Sequence, residues 1–254
     1  MHLDNLISVI PIPAFNDNYI WLLVNSASNN AIVVDPGTAK PVLEVLQQKK
    51  LKLCAMLITH HHADHTGGIA AILEHHPDIP IYRPDNCVAN DIVKIPECNL
   101  DFTVIETPGH TLDHIVFVAK QILFCGDTLF AGGCGRLFEG TAAQLLHSLH
   151  KLASLPPATQ VYCAHEYTLD NLRFALTVEP NNLALRERFA TTQDLRHNAR
   201  ITLPSRIEIE LLTNPFLRTK ETTIKEAVEQ FFDKELKTEL EVFAMLRKWK
   251  DNFV

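Results

Sequence analysis

No apolar run in this sequence of 254 residues approaches the roughly 20 residues that a membrane-spanning helix needs. The N-terminus, Met1-His2-Leu3-Asp4, lacks the positive start of a signal peptide, and Pro11 and Pro13 soon interrupt the apolar stretch that follows. The six cysteines show no paired spacing. A reducing cytoplasm is therefore the expected location, with no membrane partner. A basic surplus is missing too: the formal net charge is −7, and no basic, aromatic-laced element is present. That balance disfavours nucleic acid as a partner. Neither an internal repeat at solenoid period nor a low-complexity tract occurs.

What is present is ordinary soluble material. Hydrophobic residues make up 46% and charged residues 21%. The length suffices for a substantial core, as one large domain or one domain with an appendage.

The informative stretch is Thr59-His60-His61-His62-Ala63-Asp64-His65. It follows the apolar run Leu53-Cys54-Ala55-Met56-Leu57-Ile58, which reads as a buried strand. Neutral imidazole nitrogens and carboxylate oxygens suit borderline divalent metals. His60 and His62 are two apart, so in an extended segment they point the same way. Asp64 and His65 lie where the chain turns into a helix and can address a second point. A solvated His-rich loop is the alternative, but such a loop has no need of this order directly after a core strand.

Further strand-like runs stop at ligand-competent residues: Thr107-Pro108-Gly109-His110, Phe124-Cys125-Gly126-Asp127 and Val161-Tyr162-Cys163-Ala164-His165. A single His at a strand end is usually a satisfied structural residue. Taken with the first cluster, these complete two metal sites. His60, His62 and His110 would hold one ion; Asp64, His65 and His165 would hold the other; Asp127 would bridge them.

The order His-x-His-x-Asp-His, then His110, Asp127 and His165, resembles the metallo-β-lactamase superfamily. Within it the chain resembles the glyoxalase II, or hydroxyacylglutathione hydrolase, branch. The likeness also covers Gly126-Asp127-Thr128-Leu129-Phe130, Gly132-Gly133-Cys134-Gly135-Arg136, His165-Glu166-Tyr167-Thr168, Glu179-Pro180-Asn181 and Asn214-Pro215-Phe216-Leu217-Arg218. The resemblance implies a four-layer αββα sandwich with a C-terminal helical domain. It also implies two divalent metal ions per chain, zinc first, with iron or manganese as alternatives. The implied reaction is hydrolysis of S-(2-hydroxyacyl)glutathione, typically S-D-lactoylglutathione, in methylglyoxal detoxification.

Coarse periodicity agrees with that architecture. Residues 6–12, 19–25 and 31–35 read as strands, 41–50 and 69–75 as helices, and a second strand group starts near residue 102. Thr141 with Gln144 has capping-box spacing and starts a helix through residue 155. After His165 strand-like runs disappear, and helices are expected over 183–198, 205–212, 223–232 and 238–253. Thr223 with Glu226 and Thr238 with Glu241 repeat the capping-box spacing. A boundary near residue 172 divides 1–172, catalytic, from 173–254, helical and substrate-binding.

By resemblance, Arg136, Tyr167, Arg247 and Lys250 bind the glutathione moiety. The alternative for the last two is that they merely complement the dipole of a C-terminal helix. Phe138 departs from the tyrosine found there in some relatives and cannot hydrogen-bond. The expected nucleophile is metal-bound hydroxide, because a water shared by two ions has its pKa lowered toward about 7. Asp64 and Asp127 are the expected catalytic carboxylates, Asp64 orienting the nucleophile. The leaving thiol, with a pKa near about 8.5, departs without obligatory protonation. Cys134 is the only cysteine in a setting that suits a nucleophile. Rival readings are a one-iron persulfide dioxygenase, a phosphodiesterase or nuclease, and an inactive relative kept for interaction. The expected partner is a small glutathione thioester, met by a monomer. His61 and His114 are expected near the cleft but not as ligands.

Overall fold

A computed structural model describes residues 6–253; the leader reading at Met1-His2-Leu3-Asp4 lies outside them. The chain forms two compact units. One comprises the chain up to Glu106 plus Asp113–Gly126, and the other Thr107–Leu112 plus the chain from Asp127 onward.

The first unit is built on a five-stranded sheet. Strands β1 (Ile7–Ala14), β2 (Asn18–Asn25) and β3 (Asn30–Val34) form an antiparallel meander. Helix α1 (Lys40–Lys49) then crosses over to β4 (Lys52–Leu57), which is parallel to β3. The metal-motif segment, with the short helix α2 (Ala63–Thr66), leads into α3 (Ile69–His75) and on to β5 (Ile81–Tyr82), parallel to β4. Parallel pairing requires such crossovers. All eight residues of β2 are buried, so both faces of the sheet's centre are covered. On one face Ile20, Leu22, Val33 and Met56 pack with Val42 and Leu46 of α1 and Ile72 of α3. Each such side chain contributes about 1.5–3 kcal/mol on burial. The unit's other sheet is an antiparallel run of β6 (Ile92–Ile95), β7 (Leu100–Glu106), β8 (Ile115–Ala119) and β9 (Ile122–Gly126).

Gly37 is required where it stands. A Cβ there would lie 1.8 Å from the Asp64 carbonyl oxygen. The turn after β3 therefore presses directly on the metal-motif backbone.

The second unit opens with a two-residue hairpin, β10 (Leu129–Phe130) and β11 (Gly133–Cys134). Helix α4 (Ala142–Ala153) carries the expected capping box of Thr141 and Gln144. Strand β12 (Gln160–Cys163) leads into helices α5 (Thr168–Val178) and α6 (Leu183–His197). Beyond them come β13 (Ser205–Arg206), α7 (Ile207–Thr213), α8 (Thr222–Phe232) and α9 (Glu239–Asp251). The Thr238–Glu241 capping box of α9 forms.

Three sequence expectations change here. Helix α5 is new and runs unbroken through residue 172. Strands do not disappear after His165, because β13 pairs antiparallel with β12. Thr223 does not cap α8; its hydroxyl donates instead to Glu179 Oε1, and the N-cap position falls on Glu221. The buried Glu179 is a stronger acceptor than a helix end can offer a donor, so the tertiary contact wins.

Candidate metal-ligand clusters and pocket

In the first unit the ligand cluster follows directly from the end of β4. Thr59, His60 and His65 are fully buried, and His62 and Asp64 are half-buried. Asp35, which ends the β3 run with φ +51°, organises them. Its Oδ1 accepts the Thr59 backbone N–H at 2.8 Å, and its Oδ2 accepts the Thr59 hydroxyl at 2.8 Å. The same Oδ2 lies 3.0 Å from His65 Nδ1. These partners fix the tautomers. His65 Nδ1 carries the proton and donates to Asp35, so Nε2 carries the lone pair. Thr59 spends its proton on Asp35, so its Oγ1 accepts from His60 Nδ1, 3.0 Å away. His60 Nε2 is then the lone-pair nitrogen, and it faces His62 Nδ1 at 3.0 Å. His65 Nε2 faces Asp64 Oδ2 at 3.5 Å, while Asn18 donates to that oxygen at 3.0 Å.

In the second unit three loop residues converge on one oxygen. His110 Nε2 lies 3.5 Å and His165 Nε2 3.4 Å from Asp127 Oδ2. All three residues are buried. His110 Nδ1 donates to the Arg136 carbonyl at 2.9 Å, so its Nε2 lone pair is the one turned to Asp127. The His165 ring stacks on Tyr167, centroids 4.7 Å apart and 7° from parallel.

These separations fit metal ligands better than hydrogen bonds. Donors placed about 2.0–2.2 Å from a tetrahedral ion stand roughly 3.3–3.6 Å apart. The lone-pair nitrogens of His65 and His110 face carboxylate oxygens at 3.5 Å, longer than an ordinary hydrogen bond and a repulsive pairing that a cation between the two atoms relieves. The donor set, imidazole and carboxylate without thiolate, suits zinc, iron or manganese. The residues present therefore fit divalent ions.

A pocket of about 490 Å³ lies in the second unit. Its walls include His110, Asp127, Phe130, Phe138 and all four residues expected to bind substrate: Arg136, Tyr167, Arg247 and Lys250. Its size is within the range of small-molecule sites. Arg247 is buried, unlike a cation that merely complements a helix end. Its Nη1 donates to the Cys134 carbonyl at 2.9 Å, and its Nε and Nη2 reach Asp251 Oδ1 at 3.1 and 3.0 Å. Arg136 Nε stands 3.8 Å from the same oxygen. Burial holds Lys250 below the ordinary lysine pKa, and the neighbouring Arg247 cation adds to the effect. Phe138 is exposed, its ring edge-on to His110 at 5.2 Å.

Cys134 is buried, and burial pushes its thiol up to about 11, against the opposing pull of Arg247. Burial therefore favours the thiol over the reactive thiolate at neutral pH. His61 pairs with Asp113 at 3.0 Å, and His114 stacks on His60 with centroids 4.8 Å apart. The sequence reading missed Asp35, Asn18 and Asp251. Asp35 carried the same signal as the ligands it supports: an apolar run, Ala31-Ile32-Val33-Val34, that stops at a carboxylate.

Comparison with known proteins adds independent findings. Residues 15–89 and 99–165 match the family model described as metallo-beta-lactamase superfamily, and residues 166–253 match hydroxyacylglutathione hydrolase C-terminus. A hydroxyacylglutathione hydrolase of Pseudomonas aeruginosa is 51% identical, over 98% of this chain and 100% of that one. One from Xanthomonas euvesicatoria is 49% identical, over 96% of this chain and 98% of that one. Among solved structures, ETHE1 from Myxococcus xanthus shares the fold with TM-score 0.63 at 23% identity, covering 96% and 97% of the two chains. The BLEG-1 B3 metallo-beta-lactamase shares it with TM-score 0.61 at 24% identity, covering 83% of this chain and 99% of that one.

Proposed function

The chain belongs to the hydroxyacylglutathione hydrolase family of the metallo-β-lactamase superfamily, and from that premise we propose that it hydrolyses S-(2-hydroxyacyl)glutathione to glutathione and a 2-hydroxy acid. S-D-lactoylglutathione, giving D-lactate, is the proposed substrate. The observation that carries this reading is the pocket in which two ligand-type residues, His110 and Asp127, share walls with Arg136, Tyr167, Arg247 and Lys250. A reacting acyl group and an anionic peptide each need one of those two ends.

The proposed ligand sets are His60, His62 and His110 for one ion, and Asp64, His65 and His165 for the other. Asp127 bridges. The two histidines that approach its Oδ2 belong to different sets, which supports that role. Two bound zinc ions, or iron or manganese in their place, would supply an acidic water with a pKa of about 7 and polarise the acyl carbonyl. Asp64, braced by Asn18, orients the attacking water. Asp35 and the Arg136 carbonyl hold His65, His60 and His110 in the tautomers that ligation needs. Arg136, Lys250 and Arg247 attract the glutathione carboxylates, and Tyr167 offers its hydroxyl. The thiolate leaves without a general acid, its conjugate thiol having a pKa near about 8.5. The chain through about residue 172 carries the chemistry, and the helical remainder supplies Arg247 and Lys250. A cytoplasmic monomer acting on a small molecule completes the proposal. No helix among the described residues is long and apolar enough to cross a membrane.

Elemental analysis together with a thioester assay tests this. The expected result is about two ions per chain and glutathione release that stops on chelation. Full activity with one ion per chain would sink the binuclear assignment. Absence of hydrolysis by the metal-replete protein would sink the substrate.

A further inference from the structure

Side chains from later in the chain hold the Ala131-Gly132 turn of the β10–β11 hairpin and the Gly133 that follows it. Glu210 of α7 is fully buried, and its Oε2 accepts the Gly132 N–H at 2.8 Å. Asn214, also fully buried, donates through Nδ2 to the Phe130 carbonyl at 3.2 Å, the Gly133 carbonyl at 2.9 Å and Glu210 Oε2 at 3.0 Å. Asn171 of α5 donates to the Ala131 carbonyl at 3.2 Å. The other Glu210 oxygen receives the Arg188 guanidinium and the Ser205 hydroxyl. A buried carboxylate is costly to place, and here it is matched by a cation and aimed at one backbone amide. Gly132 stands at φ +71°, a conformation that favours glycine, and a Cβ there would lie 2.8 Å from Leu172 Cδ2.

The two residues flanking 131–133 are walls of the pocket. The Phe130 ring meets Tyr167 edge-on at 5.3 Å, and the Cys134 carbonyl is the acceptor that fixes Arg247. The Asp127 end of the hairpin is tied separately, by the Thr128 hydroxyl to Thr107 at 3.0 Å and by the Gly135 N–H to the Thr128 carbonyl at 3.2 Å.

We propose that Glu210, with Asn214, is a positioning residue for glutathione binding: it fixes the Gly132 turn so that Phe130 and Cys134 hold Tyr167 and Arg247 in register with the peptide. This rests on the proposed activity. The helical segment thus shapes the pocket through the backbone of the hairpin as well as lending cations to it.

Glu210→Gln places an amide donor against two donors and leaves the Arg188 cation without its counter-charge. Glu210→Asp keeps the charge but withdraws it from Gly132. Both are measured with a glutathione thioester and with a small thioester lacking the peptide, alongside metal content and thermal stability. In each variant KM for the glutathione thioester is expected to rise about tenfold, with kcat within about threefold. Metal content and the rate on the small thioester stay at the wild-type level. Lower stability with unchanged KM in a folded variant overturns the proposal, because it leaves Glu210 a purely structural role. Loss of metal overturns it too. Should neither variant fold, Asn214→Ser, which removes the Nδ2 donor from the Phe130 and Gly133 carbonyls at a residue outside the pocket walls, carries the same test. Wild-type turnover of the glutathione thioester is the control: its absence is a failure of the proposed activity, and its presence with unchanged KM in the variants is a failure of this inference alone.

Discussion

The candidate ligands supplied by the first unit and those supplied by the second are assembled by opposite means. His60, His62, Asp64 and His65 come from one stretch of six residues, and a single carboxylate, Asp35, aligns the ring nitrogens of His60 and His65 directly or through Thr59. His110, Asp127 and His165 come from three loops separated by 17 and 38 residues (127 − 110 and 165 − 127), and they meet at one oxygen of Asp127. The first group is preorganised by hydrogen bonds to a hub outside the ligand set. The second is organised around one of its own members. Removing the centre of each group should therefore have different consequences.

The largest effect falls on the group that is its own centre. Asp127→Asn keeps the shape and removes the charge that both histidines face. Metal bound per chain should fall well below the wild-type value at both sites, and kcat/KM should drop by about a hundredfold or more. His165→Ala should empty mainly one site. Elemental analysis of the three proteins distinguishes the two patterns. Equal metal loss in both variants would erase the distinction between bridging and terminal ligands.

Asp35→Asn comes next. It leaves all seven candidate ligands in place and disturbs only the tautomers of His65 and His60. An outer-shell change of this kind weakens metal affinity by about 10- to 100-fold. A metal titration by competition with a chelator reads it directly. Wild-type affinity in Asp35→Asn would show that the His cluster is preorganised by its backbone and not by its hub.

What the sequence revealed follows the same division. The His cluster was legible because its spacing is local, and the strand ends marked His110, Asp127 and His165. The hub was not: Asp35 reads as the last residue of a strand before the Pro36-Gly37 turn, and its contacts lie 24 and 30 residues away. The same limit hid the capping preference of Thr223, decided by Glu179 from 44 residues away. Helix α5 escaped because its polar face, with Asp170 and Arg173, interrupts the apolar pattern and its first turn sits inside the His-Glu-Tyr-Thr motif. Arg247 was legible as a basic residue of the last helix, but its burial against Cys134 and Asp251 was not.

That burial sharpens the comparison at the pocket. Lys250→Ala should raise KM for the glutathione thioester by about 10- to 100-fold, the equivalent of a charge-assisted hydrogen bond of roughly 1.5–3 kcal/mol. Arg247→Ala should do the same and also lower stability, since it leaves the Cys134 carbonyl without its donor. Metal content should hold in both. The pH dependence has a definite sign. Lys250 binds carboxylate only when protonated, and its pKa lies below the ordinary lysine value, chiefly through burial. KM should therefore climb with pH sooner than for an exposed lysine, and Lys250→Ala should flatten that limb. Stability runs the other way: a depressed folded-state pKa penalises the charged form, so this group's penalty is relieved as pH rises through it. A KM independent of pH in the alkaline range would remove Lys250 from substrate binding.

The smallest effect is expected at Cys134, which stands in the pocket wall without belonging to either ligand group. With its pKa pushed up to about 11, only roughly one molecule in 10⁴ carries the thiolate at pH 7. Its carbonyl holds Arg247, and a serine keeps that carbonyl where it is. The side chain also receives a weak contact from Arg247 Nη1 at 3.6 Å, which a hydroxyl can replace. Cys134→Ser should keep kcat and KM within about threefold of wild type, with metal content intact. Mass spectrometry after rapid quenching checks the chemistry directly. An acyl adduct on Cys134, or a loss of orders of magnitude in kcat with metals still bound, would move the nucleophile from water to sulfur.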